Sequence, residues 1–209
     1  MNHVVLFSGG IDSTTVLAMV VKENGPKDVY FLRGEFQSKQ SYQEAFVVNR
    51  IAVHRYELLG QSVPLHWIPS GNNRLIVPGR NLVLIGAAAS VAQSIGATNI
   101  YIGCNADDIV NFPDCSHEYL QAAKSAVKLG YGIDLHFPLA RLTKKQVVAR
   151  ARDLGVNLDE TYSCYTGNQE HCGECLACKM RIEVLGEDTA EIAEHRARIK
   201  MKEEMINGN

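Results

Sequence analysis

Along this chain, short solid apolar runs alternate with longer stretches in which apolar residues recur at helical spacing. Val4-Val5-Leu6-Phe7 is the first solid run, the pattern of a strand covered on both faces. It stops at Ser8-Gly9-Gly10, and Thr14 to Asn24 then places Val16, Leu17, Val20 and Val21 on one helical face. Gly25-Pro26 ends that helix. Val29 to Leu32 predicts a second buried strand, Arg33 to Gln37 a loop, and Ser38 to Leu58 a long helix with Ala45, Val48, Ile51 and Ala52 inward. Pro64 to Ile68 predicts a third strand, its proline tolerated near a strand start or on an edge.

A polar break from Pro69 to Arg74 follows, and Asn81 to Ile95 then reads as a helix buried on most sides. Asn99 to Ile102 is a fourth strand, Gly103 to Cys115 a long loop, and Ser116 to Leu129 a helix with Glu118 near its positive end. Leu135 to Leu139 holds a short strand, and Thr143 caps a helix running to Leu154. Strands alternating with helices at this spacing predict an α/β fold built on a doubly wound parallel sheet. The charged tail from Glu187 to Asn209 has a weak apolar stripe, Ile192, Ile199 and Met205, and reads as a solvated helix docked on the domain. The expected organisation is an α/β domain over residues 1–160, with a cysteine knuckle and C-terminal helices packed on it over 161–209.

Composition changes this picture little. The 209 residues, 46% hydrophobic and 21% charged, suit one sizeable domain. A net charge of −2 gives no global basic field to draw the chain to nucleic acid or an anionic membrane. The longest apolar stretch, Leu82 to Ala89, is too short to span a bilayer, and no basic n-region with an apolar h-region opens the chain. A cytoplasmic protein is expected.

The six cysteines are uneven. Cys164, Cys172, Cys175 and Cys178 fall within fifteen residues, while Cys104 and Cys115 border the long loop as ordinary thiols. Clustering of this kind in a cytosolic chain argues for metal rather than disulfides. Structural Zn²⁺ takes four tetrahedral thiolates, and Cys-x-x-Cys spacing wraps one ion, with Gly173 allowing the turn. An iron–sulfur cluster is the rival, and the compact knuckle favours zinc. His171 beside Cys172 reads as a supporting or surface residue.

The chemistry concentrates first at Ser8-Gly9-Gly10-Ile11-Asp12-Ser13. Paired glycines admit close backbone approach, and the following helix N-terminus favours a phosphate or pyrophosphate. The loop is neither a Walker sequence nor a dinucleotide fingerprint. A plain strand–turn–helix junction capped by Asp12 or Ser13 is the alternative. Ser-Gly-Gly-x-Asp-Ser instead resembles the pyrophosphate loop of the N-type ATP pyrophosphatases, whose fold is Rossmann-like, of the adenine nucleotide alpha hydrolase type.

Four further landmarks follow in order: Val77-Pro78-Gly79-Arg80-Asn81, Phe112-Pro113-Asp114-Cys115, Lys144, and the knuckle. Together they resemble the QueC family, the 7-cyano-7-deazaguanine synthases, from about residue 3 to Arg181. The resemblance implies a C–N-bond-forming ligase that uses ATP, Mg²⁺ and ammonia to turn 7-carboxy-7-deazaguanine into the nitrile through adenylated intermediates, in a homodimer with structural zinc. On it, Phe7, Ser8, Gly9, Gly10, Asp12, Ser13 and Thr14 form the ATP loop, and Asp12, Arg80 and Lys144 serve catalysis. Asp12 positions Mg²⁺, Arg80 contacts phosphate, and Lys144 reaches the ATP phosphates from a helix start. Asp114, and secondarily Glu118, accept from the N1–H and 2-amino group of a guanine-like base, or Asp114 merely shapes its turn. An isolated surface ion pair is the alternative for Arg80.

The chain also departs from that pattern. Arg33-Gly34-Glu35-Phe36-Gln37-Ser38-Lys39 stands where the family carries a Tyr-Gly-Gln-basic run, Ser116 where it carries arginine, and the loop from Cys104 to Cys115, with Asn105, Asp107 and Asp108, is one residue longer. Such changes leave open an enzyme that stops at the amide or takes another acceptor. An ATP-dependent tRNA thiolase and a non-catalytic nucleotide-binding module are the readings from other classes; the acidity of the chain counts against tRNA.

Overall fold

The computed structural model describes residues 1–66, 77, 79–110, 112–185, 197 and 201. Five strands form one parallel sheet: β1 His3–Leu6, β2 Val29–Glu35, β3 Leu59–Pro64, β4 Asn99–Tyr101 and β5 Asp134–His136, ordered β3-β2-β1-β4-β5. Helices α1 Ile11–Asn24, α2 Lys39–Val48, α3 Arg80–Ile95, α4 His117–Tyr131, α5 Lys144–Asp153 and α6 Leu176–Leu185 cover its two faces. On one face Val5, Phe7 and Phe31 pack with α1 and α5, together with Val47, Val48 and Ile51; on the other, Val4, Leu6, Leu32 and Ile100 pack with α3 and α4. This is the doubly wound α/β architecture the alternation predicts.

Strand order places the site. The chain moves outward from β1 to β2 and β3, then returns across to β4 and β5. The direction reverses between β1 and β4, so the loops leaving their carboxyl ends, Ser8–Gly10 and Gly103–Asn105, diverge around a crevice. Ligands in open α/β sheets bind in that crevice.

Several elements fall elsewhere than the residue pattern predicts. Arg33, Gly34 and Glu35 continue β2 rather than forming a loop, because β3 pairs with them, Arg33 opposite Ser62 and Glu35 opposite Pro64. The third strand is Leu59–Pro64, not Pro64 to Ile68, and Trp67 and Ile68 lie outside the described residues. β3 is an edge strand, mostly exposed, so it carries no apolar run; Pro64 ends it, where a missing N–H costs little. The long second helix stops at Val48 and gives way to a π-helical stretch, Asn49–Arg55, whose wider turns bring Ile51 and Ala52 to the core beside Leu58. α3 is buried along one stripe, Ile85, Ala88, Ala89 and Ala92, while Leu82 is 62% exposed. Thr143 caps α5 as expected, in a full capping box with Gln146. The expected C-terminal helix and its stripe lie outside the described residues. None of the helices described is long and apolar enough to cross a membrane.

Candidate active site and metal centre

The Ser8–Gly10 turn is built by its own hydroxyls. Ser13 Oγ donates to Gly10 O at 3.1 Å, accepts from Ser8 N at 3.3 Å, and lies 3.2 Å from Ser8 Oγ. Gly9 has φ +81°, and a Cβ there would lie 2.7 Å from Val47 Cγ1, so only glycine fits between the loop and α2. Gly10 occupies the N-cap of α1 with no side-chain cap, contrary to the plain-cap reading of Asp12 or Ser13. The first N–H groups of α1 therefore have no capping side chain and remain available to an anion.

Asp12 faces the crevice from the first turn of α1. Its Oδ2 accepts from Lys144 Nζ at 2.6 Å and from Asn105 Nδ2 at 3.2 Å, while its buried Oδ1 has no partner among the described residues. The Asp12 and Lys144 side chains are 18% and 19% exposed, so the pair is partly shielded but open on one side. Thr14 Oγ1 is likewise buried without a partner. Lys144 is the first residue of α5, and its backbone N–H donates to Asp107 Oδ2 at 2.7 Å. Asp107 N donates in turn to Asn105 Oδ1 at 2.9 Å. Asp108 Oδ2 accepts from Asn105 N at 3.0 Å; burial raises the Asp108 carboxyl above its ordinary value, and the Asp12 charge adds to that against the Asn105 N–H and Lys144. The side chains of Asn105, Asp107 and Asp108 join the site beside Asp12 and Lys144, whereas the sequence points to their loop only as a departure on the acceptor side.

Two backbones touch here. A Cβ on Gly103 would sit 3.0 Å from the Asp12 carbonyl carbon and 3.1 Å from Ser13 N, so the loop leaving β4 meets the start of α1 more closely than most side chains allow.

The other expected residues divide. Arg80 opens α3 with an exposed side chain, and its charge acts on Glu44 of α2 and on Tyr165. Burial raises the Glu44 carboxyl against the hydrogen bond from Gln40 and the charges of Arg33 and Arg80. Arg33, 3% exposed, donates through its guanidinium to Ser41 O, to Ser41 Oγ at 2.6 Å and to Ser62 Oγ at 3.2 Å. Pro78 of the Val77–Asn81 landmark lies outside the described residues. Asp114 sits in the short 3-10 turn Pro113–Cys115, and Glu118 is exposed on the first turn of α4, which Ser116 caps through Tyr119 N at 3.2 Å. Cys104 and Cys115 are not independent thiols. The neighbouring Cys104 thiol holds the Cys115 pKa below its ordinary value, and Asn81 Nδ2 approaches the Cys115 sulfur at 3.6 Å.

The four knuckle sulfurs lie within 4.8 Å of one another, Cys172 and Cys178 at 3.9 Å. Thiolates at about 2.3 Å from one tetrahedral ion are about 3.8 Å apart, so the set fits a single metal. Cys172 N donates to Cys164 Sγ at 3.4 Å and Cys175 N to Cys172 Sγ at 3.3 Å. Burial would raise Cys164, yet hydrogen bonds from Thr166 and Cys172 bring it down to about 6. Gly173 takes φ +73° at the turn between Cys172 and Cys175. His171 stays outside the set: its Nε2 accepts from Ser163 N at 3.2 Å and its ring lies 5.1 Å from that of Tyr162. Cys164 and Cys178 are 0% and 1% exposed and belong to the same apolar cluster as Val5, Val148 and Leu158. Tyr162 N, leading into the knuckle, donates to Gly9 O at 2.9 Å.

Known proteins match along most of this length. Residues 43–188 fit the model of the family described as queuosine biosynthesis protein QueC. The 7-cyano-7-deazaguanine synthase of Thermoplasma acidophilum is 36% identical over 203 residues, covering 86% of this chain and 85% of the relative. That of Caldicellulosiruptor bescii is 33% identical over 204 residues, covering 88% and 91%. Among solved structures, NMN synthetase from Francisella tularensis superposes with a TM-score of 0.54 at 18% identity, over 93% of this chain and 81% of that one. The U34-tRNA thiolase NcsA from Methanococcus maripaludis, with its [4Fe-4S] cluster, gives 0.53 at 13% identity, over 96% and 73%. At such identities the two structures attest the fold alone. The fit to the family model and the shared length with its relatives establish that this chain belongs to the QueC family.

Proposed function

We propose that the protein is an ATP-dependent ligase that converts 7-carboxy-7-deazaguanine and ammonia into 7-cyano-7-deazaguanine. The observation that carries this is the Asp12–Lys144 pair beside the uncapped N-terminus of α1, at the sheet crevice of a QueC-family chain. The acceptor carboxylate oxygen attacks the α-phosphate of ATP, pyrophosphate leaves, and an acyl adenylate forms. Ammonia displaces AMP to give the amide, with loss of a proton. A second ATP adenylates the amide oxygen with loss of pyrophosphate and one nitrogen proton, and departure of AMP with the remaining nitrogen proton leaves the nitrile.

Each step needs negative charge held on the departing phosphates. The free N–H groups of α1 receive the pyrophosphate, and Lys144 supplies a cation beside it. Asp12 fits Mg²⁺ because Oδ1 is buried without a partner while Oδ2 is already held, and Mg²⁺ takes few carboxylates alongside phosphate oxygens. The ion would neutralise phosphate charge. Asp114 receives the guanine-like edge of the acceptor, and Arg80 meets phosphate from the start of α3. The knuckle geometry supports zinc over a four-iron cluster, in which each thiolate holds a different iron and the sulfurs spread wider than 4.8 Å. The role of the metal is to hold fold, since all four thiolates are committed and none is left for an open position.

The test is turnover of ATP with 7-carboxy-7-deazaguanine and ammonium, followed by mass spectrometry of the product. AMP, pyrophosphate and a nitrile are expected. An amide as final product would end the assignment at the first adenylation, and turnover only with tRNA would overturn it.

A further inference from the structure

One residue connects both partners of the catalytic pair, touching Asp12 directly and reaching Lys144 through Asp107. Asn105 is 2% exposed at the end of β4, and every polar group it carries on the site side is engaged. Its Oδ1 accepts from Asp107 N, its Nδ2 donates to Asp12 Oδ2, and its backbone N donates to Asp108 Oδ2. The amide can lie only this way round, since a flip would set its oxygen against a carboxylate and its NH₂ against an N–H.

These bonds have two consequences. Directly, Asn105 shares Asp12 Oδ2 with Lys144, which fixes the rotation of the carboxylate and leaves Oδ1 as the oxygen without a partner. Indirectly, Asn105 orients Asp107, whose Oδ2 takes the N–H of Lys144 and so sets where α5 begins. The adjoining Ala106 N donates to Leu142 O at 2.8 Å and pins the same turn to the lead-in of α5.

We infer that Asn105 is a positioning residue, which orients Asp12 and the start of α5 together so that Asp12 Oδ1 faces the cation accompanying ATP and the Lys144 ammonium faces the phosphates. This rests on the ATP-dependent reading of the site. The residue touches neither substrate nor reacting atoms. Misplacing a catalytic group by about 1 Å costs on the order of 100-fold in rate.

Two substitutions separate positioning from folding. Asn105→Ala removes both side-chain bonds, so kcat should fall about 10- to 100-fold while KM for the deazaguanine acid stays within about threefold. Binding of Mn²⁺ together with α,β-methylene-ATP, measured by spin resonance or calorimetry, should weaken several-fold. Asn105→Asp keeps the acceptor for Asp107 N but sets a second carboxylate beside Asp12. It should bind Mn²⁺ more tightly than the native protein and still lose kcat at least about tenfold. Opposite shifts in metal affinity with losses of turnover in both variants are the expected signature. A native kcat in Asn105→Ala overturns the inference, as does equal weakening of Mn²⁺ in both variants with a matching fall in thermal midpoint. Should the native protein fail to turn over the deazaguanine acid, the function above fails, while the Mn²⁺ measurements still judge Asn105.

Discussion

Lys144 Nζ lies 2.6 Å from Asp12 Oδ2, joining the start of the fifth helix to the start of the first across 132 positions of sequence. Hydrogen bonds with charge on both sides are short and strong, and this one sits beside the uncapped start of α1, where the proposed reaction releases pyrophosphate. Lys144→Met keeps the length of the side chain and removes its charge. We expect pyrophosphate release to fall about 100-fold or more, about 2.7 kcal/mol of transition-state stabilisation. The thermal midpoint should fall in far smaller proportion than turnover, because the pair is open to solvent on one side and Asn105 still holds the Asp12 carboxylate. A variant that lost stability and activity in proportion would make Lys144 a structural residue instead.

Gly103→Ala tests the contact between β4 and α1. Its Cβ would meet Asp12 backbone at 3.0 Å, and backbone cannot swing aside as a flexible side chain can. The start of α1 must shift and carry Asp12 with it. Turnover should drop at least about tenfold with a stability loss of about 1–3 kcal/mol, measured by urea unfolding. Gly130→Ala in α4 is the control: a Cβ there meets nothing within 4 Å, so helix propensity alone should stabilise by about 0.5–1 kcal/mol. Equal behaviour of the two variants would rule out the proposed steric coupling.

Asp108 makes stability depend on pH in an identifiable direction. Its carboxyl is raised chiefly by burial, so the folded protein holds that proton more tightly than the unfolded chain does. Asp108 therefore lowers stability progressively as pH climbs above the ordinary carboxylate pKa of about 4, until its raised folded value is passed. Asp108→Asn removes the titration. The stability of the variant relative to native should grow as pH rises above about 4 and level off once the raised folded value of Asp108 is passed. Unfolding free energies taken at several pH values check this, and a pH-independent difference would contradict it.

Cys164→Ser should weaken far more than the knuckle. The sulfur is fully buried among Val148, Leu158 and Cys178 in the cluster that also holds Val5. Losing a metal ligand there should cost at least about 3 kcal/mol, a fall of about 6–12 °C in thermal midpoint, with loss of bound metal by elemental analysis. Chelator treatment of the native protein should reproduce that fall. An unchanged midpoint after complete metal removal would leave the knuckle without a structural role.

How far residues disclosed this arrangement depends on what each signal is made of. Val4 to Phe7 and Val29 to Leu32 are visible because both sheet faces are covered, and Thr143 with Gln146 is visible because a capping box is local. Strand β3 is hidden because one side meets solvent and its ladder partner, Arg33 to Glu35, is charged and resembles a loop. Arg33 belongs to a strand because Ser41 and Ser62 accept its buried guanidinium, and neither is a neighbour in sequence. The Ser-Gly-Gly loop and the four cysteines could be read directly. The Asn105 and Lys144 bonds to Asp12 span 93 and 132 positions, a distance over which periodicity carries no information.

The bond from Tyr162 N to Gly9 O ties the entrance of the knuckle to the turn that would receive phosphate. Free energy transmitted through such a bond is reciprocal: if a metal on the four cysteines steadies the turn, nucleotide in the turn steadies the metal by the same factor. Nucleotide should therefore slow the release of metal to a chelator, so that the resting enzyme loses its metal sooner than the working one.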